Sequence, residues 1–202
     1  MKKIVALIIS VLTLLSILAI NTSAAFTHKV ERGDTLWRIA VKYKVGLSEI
    51  KSANPHIKNY DLIYPGDVIN IPEKDSEASN FESEVIRLVN AERAKYGLSE
   101  LKEDWQLSRV ARYKSEDMRE NKYFSHTSPT YGSPFEMIKN FGIPYKSAGE
   151  NIAKGQKTPA AVVNAWMNSS GHRKNILSTS FTHIGVGYAE NGNYWTQMFI
   201  SK

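Results

Sequence analysis

The sequence predicts an α+β protein in two units, a small β-α-α-β module followed by a larger layered domain. Three observations carry this. In residues 26–73, strand and turn patterns bracket two short helical patterns. The polar stretch Pro72-Glu73-Lys74-Asp75-Ser76-Glu77-Ala78-Ser79 then reads as a joint, with 74–79 as the linker. Behind it, residues 80–202 open with helical periodicity and close on two strand patterns joined by a turn.

The first 25 residues concern the compartment. Lys2 and Lys3 form a positive start, residues 4–20 are a charge-free apolar run, and Asn21-Thr22-Ser23-Ala24-Ala25 is the small-residue ending that a signal peptidase cuts, here after Ala25. The expectation is a secreted protein with a removed leader and no stable membrane insertion afterwards. A retained anchor is the competing reading, since 17 apolar residues sit at the short edge of a spanning helix. No Cys follows the run, so lipoprotein anchoring is excluded. Cys is absent throughout, so stability must come from core burial rather than a disulfide framework. Removing Lys2 and Lys3 lowers the formal net charge from +6 to +4. That mild, dispersed excess suits an anionic cell wall and is too small for a nucleic-acid surface.

In the small module, Thr27-His28-Lys29-Val30 starts a strand and Arg32-Gly33-Asp34 a turn. Asp34 or Thr35 caps a helix carrying Leu36, Trp37, Ile39 and Ala40, which Gly46 is expected to end. Ser48 opens a second helix through Ile50 and Ala53, stopping at Asn54-Pro55. Pro65-Gly66-Asp67 turns the chain into a closing strand, Val68-Ile69-Asn70-Ile71. A core this thin should bury Leu36, Ile39, Ile50, Leu62, Val68 and Ile71 almost without exception.

The run from Val30 to Ala40, then Asn54-Pro55, then the run from Leu62 to Pro72 resemble a LysM module across residues 27–72. The resemblance implies a shallow groove for N-acetylglucosamine-containing glycans, peptidoglycan among them. Gly33, Asp34, Thr35 and Leu36 would form one side of it, and Leu62, Ile63, Tyr64 and Pro65 the other. Turn amides suit acetamido groups, and apolar side chains cover sugar faces. Gly33 and Gly66 serve the turns whether or not sugar binds. Trp37 reads as core, with the edge of the groove as its alternative place.

In the larger domain, Ser79-Asn80-Phe81-Glu82 reads as a capping box for an amphipathic helix carrying Phe81, Val85, Leu88 and Val89 and ended by Gly97. Glu92 falls on its apolar face and should pair with a basic group. A second helix starts after Asp104 and is expected to bury Trp105, Val110, Ala111 and Met118. Ser133-Pro134 and Thr158-Pro159 open helices that end at Gly142 and near Asn168. Residues 183–189 and 194–200 read as strands around an Asn191-Gly192 turn. Trp166 and Trp195 sit at core-like spacing.

Polar groups then recur in strings that a packed core does not require. These are Phe124-Ser125-His126-Thr127-Ser128-Pro129, Gly149-Glu150-Asn151-Ile152-Ala153, and the run from Trp166 to Leu177 containing Ser170-Gly171-His172-Arg173. With Gly185-Val186-Gly187-Tyr188 and Trp195-Thr196-Gln197 behind them, they resemble the CAP superfamily of cysteine-rich secretory, antigen 5 and pathogenesis-related 1 proteins across residues 80–202. The pattern is most similar to bacterial members, which lack the disulfides.

The resemblance implies an α-β-α sandwich with a cleft lined by two His and two acidic residues. His126, Glu150 and His172 match their motifs directly, and Glu136, in Ser133-Pro134-Phe135-Glu136, fits a looser one. Two neutral imidazoles, His126 and His172, suit a divalent metal such as zinc or calcium, and a Glu beside a metal-bound water suits a general base. The 46 residues between the two His give no local metal-site geometry. His28, His56 and His183 match no ligand motif and read as structural or surface groups. The favoured function is a wall-associated protein that binds glycan through LysM and carries a binding rather than catalytic cleft. The alternative is a metal-assisted hydrolase, a peptidase or wall-cleaving enzyme, delivered by LysM. Lipid binding would need an apolar groove that the sequence does not locate. Vegetative wall and spore both stay open as the destination.

Overall fold

The computed structural model describes residues 26–72 and 76–202. The leader expected at 1–25 and linker residues 74 and 75 fall outside these. Among the described residues, no helix is long and apolar enough to cross a membrane.

The small module runs β1 (Phe26–Lys29), α1 (Leu36–Tyr43), α2 (Leu47–Ala53), β2 (Val68–Ile71), with β1 and β2 antiparallel. Thr35 is the cap of α1: its Oγ1 accepts from the Arg38 N–H at 3.1 Å. Gly46 does not end that helix. Lys44 does, in the left-handed region at φ 53°, with its N–H on the Ala40 and Val41 carbonyls. Gly46 instead precedes α2, where its N–H donates to the Glu49 carboxylate at 2.5 Å. Val45 between them is buried in the core of the module. Buried Asn54 clamps the module: its Nδ2 donates to the Ile50 and Asn70 carbonyls, and its Oδ1 accepts from the Asn70 N–H.

The core contains Leu36, Ile39, Ile50 and Ile71, joined by Val30, Ala40, Val45 and Ile69. Leu62 and Val68, both expected inside, are each 53% exposed. Strand geometry explains Val68: side chains alternate, so seating Ile69 and Ile71 inward sends Val68 and Asn70 outward. Leu62 lies in the turn segment ahead of β2, outside any periodic element.

The larger domain begins with α3 (Ser76–Lys95), which starts three residues before the expected capping box. Residues 76–79 are therefore helix rather than linker, with Ala78 buried as the first anchor. Glu82 does not cap; its buried carboxylate pairs with Arg112 at 2.5 Å and accepts the Tyr188 N–H at 3.0 Å. Glu92 pairs with Lys95 at 2.7 Å. Then follow β3 (Lys102–Glu103), α4 (Trp105–Glu120), α5 (Pro134–Asn140), β4 (Ser147–Lys154), α6 (Pro159–Met167), α7 (Ser170–Ile176), β5 (His183–Ala189) and β6 (Tyr194–Ser201). β3, β4 and α7 were not legible as elements in the sequence.

The sheet order is β3-β5-β6-β4, with β3 parallel to β5 and the other pairs antiparallel. Val85 and Val89 of α3 and Trp166 of α6 pack on one face against Ile184, Val186, Trp195 and Phe199. On the other face, Leu107, Val110 and Ala111 of α4 and Met137 and Ile138 of α5 meet Met198 and Ile200. This is an α-β-α sandwich. Gly185 and Gly187 let α4 lie directly on β5: a Cβ at Gly187 would fall 2.0 Å from the Arg112 backbone nitrogen. Trp105 is half-buried beside the small module instead of in the core.

Candidate functional site

The first constellation sits at the outer edge of β4. Residues alternate along that strand: Glu150 pairs opposite Met198 on the α4 face, and Asn151 opposite Gln197 on the other. His126 reaches Glu150 from the α4 side. Its Nδ1 lies 2.7 Å from Glu150 Oε1, with the His126 side chain 55% exposed and that of Glu150 2%.

Asp117, near the end of α4, organises the loop that carries His126. It accepts from Ser128 Oγ, Thr130 Oγ1, Asn121 Nδ2 and the Tyr123 hydroxyl. Burial opposes ionisation of Asp117, but these four donors outweigh it and hold the carboxyl below its ordinary range. Buried Lys114, one turn earlier, donates to the His126 carbonyl at 2.8 Å and to the Tyr123 hydroxyl at 3.2 Å. None of Lys114, Asp117 and Tyr123 stood out in the sequence. The available sign was a Lys and an Asp three apart on the helix face that also carries Ala111 and Met118, where a polar side chain needs a partner.

His172 comes from α7 on the opposite side of the sheet. Its carbonyl accepts from Asn151 Nδ2 at 3.1 Å, while Asn175 Nδ2 donates to the Glu150 carbonyl at 3.2 Å and to Asn151 Oδ1 at 2.8 Å. These amide contacts tie α7 to β4 at the residue next to Glu150. The hydrogen bond to Glu150 raises the His126 pKa above its ordinary value. Burial, aided by the charge of His126, lowers that of His172. Burial raises the Glu150 carboxyl, against the pull of His126 and Lys114. The cleft thus offers an imidazole hydrogen-bonded to a buried carboxylate, with α7 tied to the same strand from its other face, an arrangement suited to a polar group.

Glu136 makes its hydrogen bonds elsewhere. It is exposed and accepts from the Ser133 N–H and hydroxyl at 2.7 and 2.8 Å, in the capping box of its own helix. Those bonds hold its carboxyl below its ordinary range. Ser125 Oγ accepts from the Thr127 N–H, and Ser128 Oγ donates to Asp117 and accepts from the Thr130 and Tyr131 N–H groups, so both oxygens serve the loop. Among the described residues, no three His, Cys, Asp or Glu side chains converge as a metal site. Zinc sites use three or four protein ligands and calcium sites oxygen cages, and two imidazoles by themselves supply neither set.

The second constellation is on the small module. Backbone bonds between Val30 and the Gly66-Asp67 turn bring the two turn segments together. A cavity of about 210 Å³ opens there, lined by Asp34, Thr35 and Leu36 from the first segment and by Tyr60, Asp61 and Ile63 from the second. Trp37, Leu47 and Lys51 complete its wall. Gly33, Leu62, Tyr64 and Pro65 are exposed next to these residues in sequence without lining the cavity. Trp37 is not core: it is 48% exposed on the groove. Asp34 has a structural duty as well, since its carboxylate accepts the Glu31 N–H at 2.8 Å and meets His28 Nε2 at 2.8 Å. Buried His28 is held between Asp34 and the Tyr43 hydroxyl, which makes it part of the scaffold.

Comparison with known proteins agrees with this arrangement. The LysM domain model matches residues 28–72, and the model of the cysteine-rich secretory protein family, CAP, matches residues 86–200. Uncharacterized protein YkwD of Bacillus subtilis is 65% identical over 127 residues, 63% of this chain and 49% of the relative, so the chain spans about half its length. The N-acetylmuramoyl-L-alanine amidase sle1 of Staphylococcus aureus is 33% identical over 79 residues, 39% of this chain and 23% of that enzyme. The crystal structure of an extracellular protein containing an SCP domain from Bacillus anthracis superposes with a TM-score of 0.60 at 34% identity, covering 68% of this chain and 47% of that one. With a family model spanning more than half of its length on top of the sandwich fold, the chain belongs to the cysteine-rich secretory protein (CAP) family and carries a LysM domain ahead of its CAP domain.

Proposed function

We propose that this is a secreted, cell-wall-associated protein whose LysM module binds N-acetylglucosamine-containing glycan, peptidoglycan above all, and whose CAP cleft binds a wall component rather than cleaving it. The observation that carries the reading is the groove between the two turn segments, with the half-exposed Trp37 indole on its wall. An aromatic face stacks on the C–H face of a sugar ring, and the carboxylates of Asp34 and Asp61 accept from sugar hydroxyls and acetamido N–H groups. The partial likeness to a wall amidase supports the wall as destination. Binding is favoured over cleavage at the CAP cleft because the nearby serine hydroxyls bond within the loop and not to the His126 ring. Among the described residues, no nucleophile is hydrogen-bonded to the His126 ring there.

The test is a pull-down of the full chain on insoluble peptidoglycan against a Trp37→Ala/Ile63→Asp variant. The variant should lose at least about tenfold in affinity, roughly 1.4 kcal/mol. Undiminished binding by a folded variant overturns the groove as the glycan site.

A further inference from the structure

We infer that the glycan groove does not end at the edge of the LysM module but continues onto the CAP domain, so that one saccharide chain lies across both. The inference rests on the glycan reading above and extends the same site. A second cavity, of about 300 Å³, adjoins the first, and the two share Trp37, Leu47 and Lys51 as a common wall. Its far side belongs to the other domain: Gln106 and Arg109 in the first turns of α4, and Phe141 and Ile143 just after α5.

The two halves of this groove are held in register by a seam between α2 and α4. The Tyr113 hydroxyl donates to Glu49 Oε1 at 3.0 Å, and Arg109 Nη2 donates to the Tyr113 hydroxyl at 2.8 Å. Arg109 Nε lies 3.7 Å from the same Glu49 oxygen. Gly46 allows the approach, because a Cβ there would fall 2.2 Å from Arg109 Nη2.

The chemistry of the second cavity repeats that of the first. Trp37 and Phe141 provide aromatic surface at its two sides, and the Gln106 amide offers both a donor and an acceptor to a hydroxyl or acetamido group. Lys51 and Arg109 add donors suited to the oxygens of a sugar or to the carboxylates of peptides borne on a wall glycan. The occupant follows from continuity. A glycan seated between the turn segments passes Trp37, and the surface it meets next belongs to α4 and the end of α5.

The experiment is calorimetric titration of the full chain with the trimer and hexamer of N-acetylglucosamine, beside a Gln106→Ala/Phe141→Leu double variant. Leu at 141 keeps an apolar side chain against Tyr113 and Tyr131, which Phe141 contacts, and removes the aromatic face. The wild-type chain should bind the hexamer about tenfold more tightly than the trimer. The double variant should bind the hexamer no better than the trimer, with trimer affinity unchanged. If the double variant does not fold, Gln106→Ala alone should shift hexamer affinity in the same direction. Equal hexamer affinity in wild type and variant, with the trimer still bound, overturns the extension and leaves the LysM groove standing. Absence of binding by either oligomer to the wild type overturns the groove reading itself, and the extension with it.

Discussion

Glu150 and His126 show how burial and pairing set the properties of a single cleft. The carboxylate is nearly fully enclosed and its pKa is raised by that enclosure, while its hydrogen bond raises the pKa of the far more exposed imidazole. His172, with desolvation and a neighbouring positive charge acting on it, moves the other way. A proton NMR titration should therefore place His126 above the ordinary histidine value of 6.5 and His172 below it. Glu150→Gln should bring His126 down towards that value. A raised folded-state pKa stabilises the fold fully below the unfolded-state value and loses that contribution as pH rises through the folded one. Glu150→Gln should accordingly cost more stability on the acid side of this range than on the alkaline side. An unchanged His126 titration in the variant would remove Glu150 as the cause.

Element geometry decides which residues can meet at this cleft. β4 lies at the edge of the sheet, so a loop from the α4 side and a helix from the α7 side both reach it. The depth of α4 on β5 is set by Gly185 and Gly187. Gly187→Ala would drive a methyl group to within 2.0 Å of the Arg112 nitrogen and 2.1 Å of the Ala111 carbonyl carbon. Both are backbone atoms, so the helix itself must shift. The expected loss is at least about 3 kcal/mol, read as a lower denaturant midpoint. Because α4 carries Lys114 and Asp117, the same shift should broaden the His126 resonance. An unaltered midpoint would mean that α4 does not bear on β5 as described.

At the scale of the molecule, two cores share one seam. The buried cluster of the LysM module contains no residue from the CAP domain, and the Glu49–Arg109–Tyr113 seam is partly exposed. A partly exposed ion pair couples domains by about 1 kcal/mol or less. The cores should therefore melt separately. Ile39→Ala, at a fully buried site in the smaller core, should cost about 3 kcal/mol and melt the LysM module at moderate temperature. The CAP transition should stay within about 2 °C of wild type, as expected for weakly coupled domains. A single transition that moves as a whole would show the seam to be far stronger than its chemistry implies.

Read from the amino-acid sequence alone, the order of a small β-α-α-β unit before a larger α+β unit was legible, and so were β5, β6 and the two proline-opened helices, while the cap of α1 was narrowed to Asp34 or Thr35. Each of these depends on local periodicity or on a side chain that serves its own neighbouring backbone. The His126, Glu150 and His172 motifs were legible too, as chemically distinct strings. That they share a cleft was an expectation taken from the family resemblance and not from local pattern. The registers of β4 with β6 and of α7 with Asn151 are long-range facts, and no local pattern states which face of an edge strand a Glu takes. The same limit hid Lys114 and Asp117, whose polar character on a packed face makes sense only once the loop they hold is in place. It also misplaced Gly46, Leu62 and Val68, and left Trp37 between the core and the groove edge. Their local patterns admit either a buried or an exposed role, and the choice fell to what α4 and the alternation of β2 left room for. The joint groove is likewise a property of tertiary structure, because Trp37 and Phe141 lie more than 100 residues apart in the chain and meet only across the packed domains.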